Sequence, residues 1–337
     1  MIDLPLVTIL LLTGFINLIG ALAYAARIAG VRTRRIAMSF ALFNILVLFS
    51  RTSNSFLGPF LAKRIETRIH DGSGASLFLD MQLVLAAASV ATLIGTLLVP
   101  TGQRMFAAAI GWYQNNRSTT RLAMKAVSPG GLRTMRQSLR LPSLGHLKVW
   151  RMPKGIGWGV LIANCLAQSL LAVGVVASLY AGYLAPEFRV TASQLSALIN
   201  GFATILLFAF IDPQLSVMTD DAVEGKVDEG DFRRAITFIS LSRLAGMILA
   251  QALLLPAATL IAYVSVHVRR ADAAQPLSRR PHAARGNGGR ARAARLVSRI
   301  SGVRLQTGLG VPVRRADARA FARHPSLLAR QRAGPPL

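Results

Sequence analysis

The sequence predicts an all-α polytopic membrane protein with about six transmembrane helices and a basic cytoplasmic loop. Two observations lead to this prediction. The 337 residues are 53% hydrophobic and only 16% charged, whereas an ordinary soluble domain has about 25% charged residues. The apolar residues also gather in stretches close to the roughly 17 to 25 residues that a membrane-spanning helix needs. A soluble single domain is therefore disfavoured.

Six apolar stretches follow one another along the chain. The first lacks the basic start of a signal peptide and has no convincing cleavage site, so we expect it to be retained. The second continues through Arg51, and the third is uninterrupted. The sixth contains Pro256 and is expected to be tilted or kinked. The predicted helices are 4–26, 36–61, 81–100, 157–184, 190–211 and 235–266.

The distribution of charge sets the expected orientation. The loop 101–154 has ten Lys or Arg residues and no acid, so the positive-inside rule makes it cytoplasmic. Six crossings then place both termini outside, together with the sixteen arginines of 267–337. That side is unfavourable for so many cations. We therefore interpret 1–266 as the transmembrane domain and 267–337 as an Arg-rich tail, either disordered or translated from a wrong reading frame.

Several classes of function are disfavoured by what the chain lacks. Much of the formal net charge of +25 comes from the tail, so a nucleic-acid partner is not expected. The single cysteine, Cys165, lies in an apolar run and excludes disulfides and cysteine metal sites. There is no phosphate-binding glycine loop, no metal-ligand spacing among the histidines and no nucleophile with a base. We therefore expect neither an enzyme nor a cofactor.

Polar side chains within apolar helices are the remaining candidates, because they are costly in a membrane. Asn44 and Arg51 share one face of the second helix at 100° per residue. On the sixth helix, Arg243 and Gln251 lie within one polar arc, and Asn17 continues a weaker stripe on the first. We expect these stripes to line a hydrophilic cavity. An arginine fork suits phosphate, so an anionic lipid headgroup is the expected ligand class.

Each of these features also has a structural interpretation. Asn and Gln in membrane helices commonly join neighbouring helices by hydrogen bonds. Arg51 could extend its side chain to the membrane interface, and Arg243 could pair with an acid such as Asp212. The basic loop could simply lie on an anionic inner leaflet, or it could help to collect a phosphorylated lipid.

Three segments near the second helix form a recognisable signature: 30–35 reads GVRTRR, 39–44 reads SFALFN and 50–54 reads SRTSN. Three more follow towards the C-terminus. These are DPQ at 212–214 with TD at 219–220, SRLAG at 242–246, and AQ at 250–251. Together they resemble the Amj family of bacterial lipid II flippases, alternates to MurJ. The resemblance covers about residues 1–266 and fails over 267–337.

The resemblance implies a multi-pass protein of the bacterial cytoplasmic (inner) membrane that takes part in cell-wall biogenesis and cell shape. Such a lipid II flippase moves the undecaprenyl-pyrophosphate-linked peptidoglycan precursor from the inner to the outer leaflet. The expected partners are this precursor, anionic membrane lipids and other cell-wall synthesis proteins.

The resemblance carries no residue roles over to this chain, so we combine it with the polar stripes. Arg51 and Arg243 are expected to bind the pyrophosphate. Other substrate-binding candidates are Asn17, Asn44, Asn54 and Gln251 in the helices, and Arg32 and Arg35, with Arg27 and Arg104, at the inner face. Because the chain has no ATP site, the drive would come from an ion gradient, the membrane potential or consumption of the product outside, and Asp212 is the candidate for proton coupling.

Two other functions stay open at this point. The arginines would equally suit a flippase for another polyprenyl-phosphate glycan. Alternatively, the protein could be a non-transporting membrane scaffold of envelope synthesis, whose polar stripes only join helices. A scaffold should tolerate charge-neutral changes along both arginine-bearing stripes.

Overall fold

The computed structural model describes residues 3–72, 74–139 and 155–273, and this part of the chain is an assembly of helices. Six helical segments are long and apolar enough to cross a membrane, which confirms the predicted fold class. The helices are α1 Leu4–Thr33, α2 Ile36–His70, α3 Leu77–Leu97, α4 Val99–Asn116, α5 Thr119–Val127, α6 Pro129–Ser138, α7 Trp158–Leu184, α8 Arg189–Ile205, α9 Asp212–Val223 and α10 Glu229–Ala273.

The membrane-length segments are α1, α2, α3, α7, the run from Pro186 to Val223, and α10. In that fifth segment, a π-helical stretch, Leu206–Ile211, joins α8 to α9. The helix therefore continues past the predicted end at 211 into residues that were expected to form a loop. Such π-helical turns are rare and recur at functional sites.

Helix α2 also extends beyond the predicted end at 61. Leu61 and Ile65 are buried in one apolar cluster with Met81 of α3 and Tyr180 of α7. This burial keeps the segment helical up to His70, although it is rich in charge. α3 begins correspondingly earlier, at Leu77 rather than 81.

The predicted basic loop 101–154 forms helices over most of its described part. In α4, Phe106 and Ile110 are buried against α1 and α2, so this helix packs on the bundle. Residues 140–154 lie outside the described part. α10 continues past the predicted end at 266 to Ala273, and the rest of the Arg-rich tail, 274–337, also lies outside it.

Small residues allow the helices to approach closely. Gly95 of α3 lies against Ala21 of α1, and Gly246 of α10 lies against the Cys165 carbonyl of α7. Such contacts are the usual means by which membrane helices pack. α1 packs on α2, α3 and α4, while α7 packs on α8 and α10. α3 and α10 connect these two groups.

The packing leaves two segments lightly covered. In α2 and in the Pro186–Val223 segment, 11% of the most apolar stretch is buried inside the protein, against 50% in α7. We call the end of the bundle that holds α4 to α6 the basic end, and the opposite end, where α1 begins, the Asp3 end. The charge pattern predicts that the basic end is cytoplasmic.

Candidate functional site

Arg243 of α10 is half-buried and faces α1 inside the apolar bundle. Its guanidinium lies against Gly20, and a side chain at that position would place its Cβ 3.1 Å from the Arg243 Cζ atom. The Nε atom is buried and has no hydrogen-bond partner. Among the described residues, no carboxylate lies within ion-pair distance of this arginine. The site therefore holds an intramembrane cation without a counter-charge.

The helix around Arg243 is fixed by its neighbour on α7. The Asn164 Nδ2 atom donates hydrogen bonds to the Ile239 carbonyl at 3.1 Å and to the Ser242 hydroxyl at 3.2 Å. The Ser242 hydroxyl in turn donates to the Leu161 carbonyl at 2.5 Å. Tyr24 of α1 lies close enough to interact with both Arg243 and Asn164. Asn164 thus joins helices, and it holds the position of Arg243.

Arg51, Asn44 and Asn54 are exposed on the lightly covered part of α2. Within the described part of the chain, the Arg51 guanidinium forms no ion pair, and the structure shows no contact between it and Arg243. These three residues are thus polar and exposed on α2, as its predicted polar face requires.

Gln251 and Asn17 already have hydrogen-bond partners. The Gln251 Nε2 atom donates to the Ser89 hydroxyl at 2.9 Å, and the Gln251 carbonyl accepts from Gln82 Nε2 at 3.0 Å, which links α10 to α3. The Asn17 Nδ2 atom donates to the Thr13 carbonyl of its own helix at 2.9 Å. The contacts of Gln251 match the structural interpretation of such residues.

At the basic end, Arg27 of α1 and Asp212 of α9 form an ion pair. The Arg27 Nη2 atom lies 3.1 Å from Asp212 Oδ1, and the guanidinium lies over the Phe40 ring at 5.1 Å from its centroid. Asp212 is thus paired with Arg27 rather than with Arg243. Of the other predicted cations here, Arg32 and Arg35 are exposed and Arg104 is half-buried.

At the Asp3 end lies a charge network that the sequence analysis missed. Arg64 Nε donates to Asp80 Oδ2 at 2.8 Å, and Arg64 Nη1 donates to Asp3 Oδ1 at 2.6 Å. Arg68 Nε donates to the same Asp80 oxygen at 3.3 Å. The side chains of Arg64 and Asp80 are only 4% and 7% exposed. In the sequence, Arg64 and Arg68 are one helical turn apart, and Asp80 lies at the start of the third apolar run. This pattern could have indicated the network.

Comparison with known proteins gives two matches. The family model described as Amj, alternate to MurJ, matches residues 12–265. The chain is also 35% identical, over 253 residues, to a protein of Bacillus subtilis (strain 168) named lipid II flippase Amj, covering 74% of this chain and 93% of that relative. No solved structure matches.

Proposed function

The chain belongs to the Amj family, alternate to MurJ, and we propose on that basis that it is a lipid II flippase. The observation that carries the proposal is the 35% identity to a named lipid II flippase over 93% of that relative. The protein would move the undecaprenyl-pyrophosphate-linked peptidoglycan precursor from the inner to the outer leaflet of the bacterial cytoplasmic membrane. It would thus act as a transporter and not as an enzyme.

The substrate sets the physical requirement. Its pyrophosphate and sugar-peptide cannot cross hydrocarbon unaided, whereas its lipid tail can stay in the bilayer. A polar path that is open to the membrane on one side meets both conditions. The lightly covered surfaces of α2 and of the Pro186–Val223 segment are the candidates for that open side.

Arg243 is the residue to which we assign pyrophosphate binding inside the bundle. An unpaired, half-buried arginine in a membrane is costly, and an arriving phosphate oxygen supplies the acceptor that its Nε atom lacks. The planar guanidinium can hold two such oxygens at once. Gly20 leaves the space that the Arg243 guanidinium itself occupies beside α1.

Arg51 would form a second binding position on α2, with Asn44 and Asn54 facing the sugars. Because Arg51 and Arg243 make no contact, the headgroup would meet them in succession. Asn17 and Gln251 would bind substrate only after their present hydrogen bonds, to the Thr13 carbonyl and the Ser89 hydroxyl, have broken.

The basic end would collect the substrate. Arg32 and Arg35 are exposed there, and Arg104 lies on α4. A pyrophosphate that reaches Arg27 would compete with the Asp212 carboxylate for the same guanidinium. Release of Asp212 from Arg27 is the step at which this carboxylate would couple transport to an ion gradient.

The test is expression of the full chain in a bacterium depleted of its principal lipid II flippase. The proposal predicts that growth and outer-leaflet lipid II are restored, and that Arg243→Ala abolishes the rescue. Arg233→Ala is the matched control, because Arg233 lies on the same helix but is exposed and paired with Glu229. Failure of the inserted full chain to rescue would overturn the proposal and favour another polyprenyl-phosphate glycan as substrate. Full rescue by Arg243→Ala would instead overturn the assignment of pyrophosphate binding to Arg243.

A further inference from the structure

We propose that the Asp3 end of the bundle carries a binding site for a glycerophospholipid. Its headgroup would occupy a charged pocket between α1 and α2, and one acyl chain would lie in an apolar groove between α1 and α3. This site is separate from Arg243 and does not depend on the flippase proposal.

The charged pocket has a volume of about 340 Å³ and is lined by Lys63, Arg64 and Arg68 together with Asp3 and Asp71. Arg64 is 4% exposed, and its Nε and Nη1 atoms bind Asp80 and Asp3. Its Nη2 atom is buried and has no partner. The exposed Lys63 ammonium forms no ion pair within the described part of the chain. A lipid phosphate would provide acceptors for both groups.

The groove has a volume of about 610 Å³ and an almost wholly apolar lining, which includes Leu11, Phe15 and Leu18 of α1 with Ala91 and Ile94 of α3. Gly14 contributes no side chain to it. A Cβ atom at Gly14 would have only the Ala91 Cβ atom near it, at 3.8 Å. An extended hydrocarbon chain fits such a lining.

Thr8 lines both cavities. The charged pocket and the groove are therefore adjacent along α1, in the order in which a lipid joins its phosphate to its acyl chains. A soluble phosphate would use only the pocket, and an uncharged lipid only the groove. The shared residue is what assigns the two cavities to one amphiphilic ligand.

The size and the charges of the pocket favour a glycerophospholipid over the lipid-linked precursor. Its volume of about 340 Å³ lies at the small end of the range for ligand sites, which matches a small headgroup better than a disaccharide with a peptide. The carboxylates of Asp3 and Asp71 beside the cations also suit a headgroup that carries hydroxyl or ammonium donors next to its phosphate.

The test measures lipid binding and not transport, so its outcome is independent of flipping. Full-length protein is purified in detergent, stripped of lipid and titrated with phosphatidylglycerol, and the bound lipid is counted by native mass spectrometry. We expect Lys63→Gln to weaken this binding about tenfold through loss of one charge-assisted contact. Gly14→Leu, which fills the groove, should weaken it similarly.

Two matched variants serve as controls. Lys226→Gln removes an exposed lysine elsewhere on the protein, and Gly201→Leu adds the same side chain where no atom lies nearby. Both should bind phosphatidylglycerol as the unaltered protein does. Unchanged binding by Lys63→Gln and Gly14→Leu would overturn the proposal. So would equal affinity for a phosphate-free diacylglycerol, or equal affinity for glycerol phosphate without acyl chains.

Discussion

Arg27 and Asp212 lie 185 positions apart in the sequence, yet the Arg27 Nη2 atom and the Asp212 Oδ1 atom are 3.1 Å apart. The pair ties the basic end of α1 to the first residue of α9, immediately after the π-helical stretch. The Arg27 side chain is 13% exposed and that of Asp212 is 39% exposed. The contact is therefore partly shielded from solvent, and its arginine is one that we expect the substrate to approach.

Reversal of this pair is the first prediction. Arg27→Asp and Asp212→Arg should each place like charges together, lower the free energy of unfolding by about 1 kcal/mol and impair rescue of the flippase-depleted strain. The double variant restores opposite charges and should recover most of the stability. Thermal unfolding in detergent and growth measure the two effects. If the double variant lost as much free energy of unfolding as the two single variants together, the ion pair would not be the link between α1 and α9.

Gly20 provides the second prediction. A leucine at this position would occupy the space now held by the Arg243 guanidinium and displace it from α1. We expect Gly20→Leu to insert into the membrane but to flip lipid II at least about tenfold more slowly, because charge-assisted hydrogen bonds contribute about 1.5 to 3 kcal/mol. Gly159→Leu is the control, since no atom lies near that glycine. Equal flipping by both variants would argue against Arg243 as a binding residue.

Asp80 provides the third prediction, which concerns stability. Asp80 and Arg64 are almost fully buried, so Asp80→Asn leaves a buried cation with a weaker partner. Loss of a buried partner typically costs about 3 to 5 kcal/mol. We expect a clearly lower melting temperature in detergent. As a control, Asp231→Asn removes a more exposed carboxylate that pairs with Arg234 and should shift the melting temperature little. Equal melting temperatures for the two variants would contradict the role of the Asp3-end network.

Asp3 provides the fourth prediction, which concerns pH. Burial would raise the pKa of the Asp3 carboxyl, but the hydrogen bond from the Leu6 N–H and the interaction with Arg64 hold it below its usual range. Because the pKa of Asp3 is lowered by folding, its charge stabilises the fold at pH values above the pKa of the unfolded chain, about 3.9. This contribution is lost as the pH falls through the pKa of the folded state. Asp3→Asn should therefore melt earlier than the unaltered protein at pH 7, with a smaller difference below pH 4. A constant difference across this range would contradict the assignment.

The sequence was sufficient for the six apolar helices and for the intramembrane position of Arg243, because both follow from hydropathy and helical period. It did not predict that α2 extends to His70, since Lys63 to His70 is polar and is held helical by the burial of Ile65 and by the Arg64 network. A polar stripe on one helix also does not reveal which neighbouring helix packs against it. Gln251 is a substrate-binding candidate from the sequence, and only the structure shows that its amide donates to Ser89 of α3. The contact of Arg27 with Asp212 depends on tertiary structure alone.

Transport of lipid II by the purified full-length chain in liposomes tests directly whether this protein is a flippase. Labelled lipid II is placed in the membrane, and the fraction that becomes accessible on the opposite leaflet is followed with time. With an ion gradient imposed across the liposome membrane, we expect transfer well above that of protein-free vesicles, loss of this transfer in Arg243→Ala and its retention in Arg233→Ala. Transfer no faster than in empty vesicles under the same gradient, with the protein shown to be folded and inserted, would contradict a flippase function.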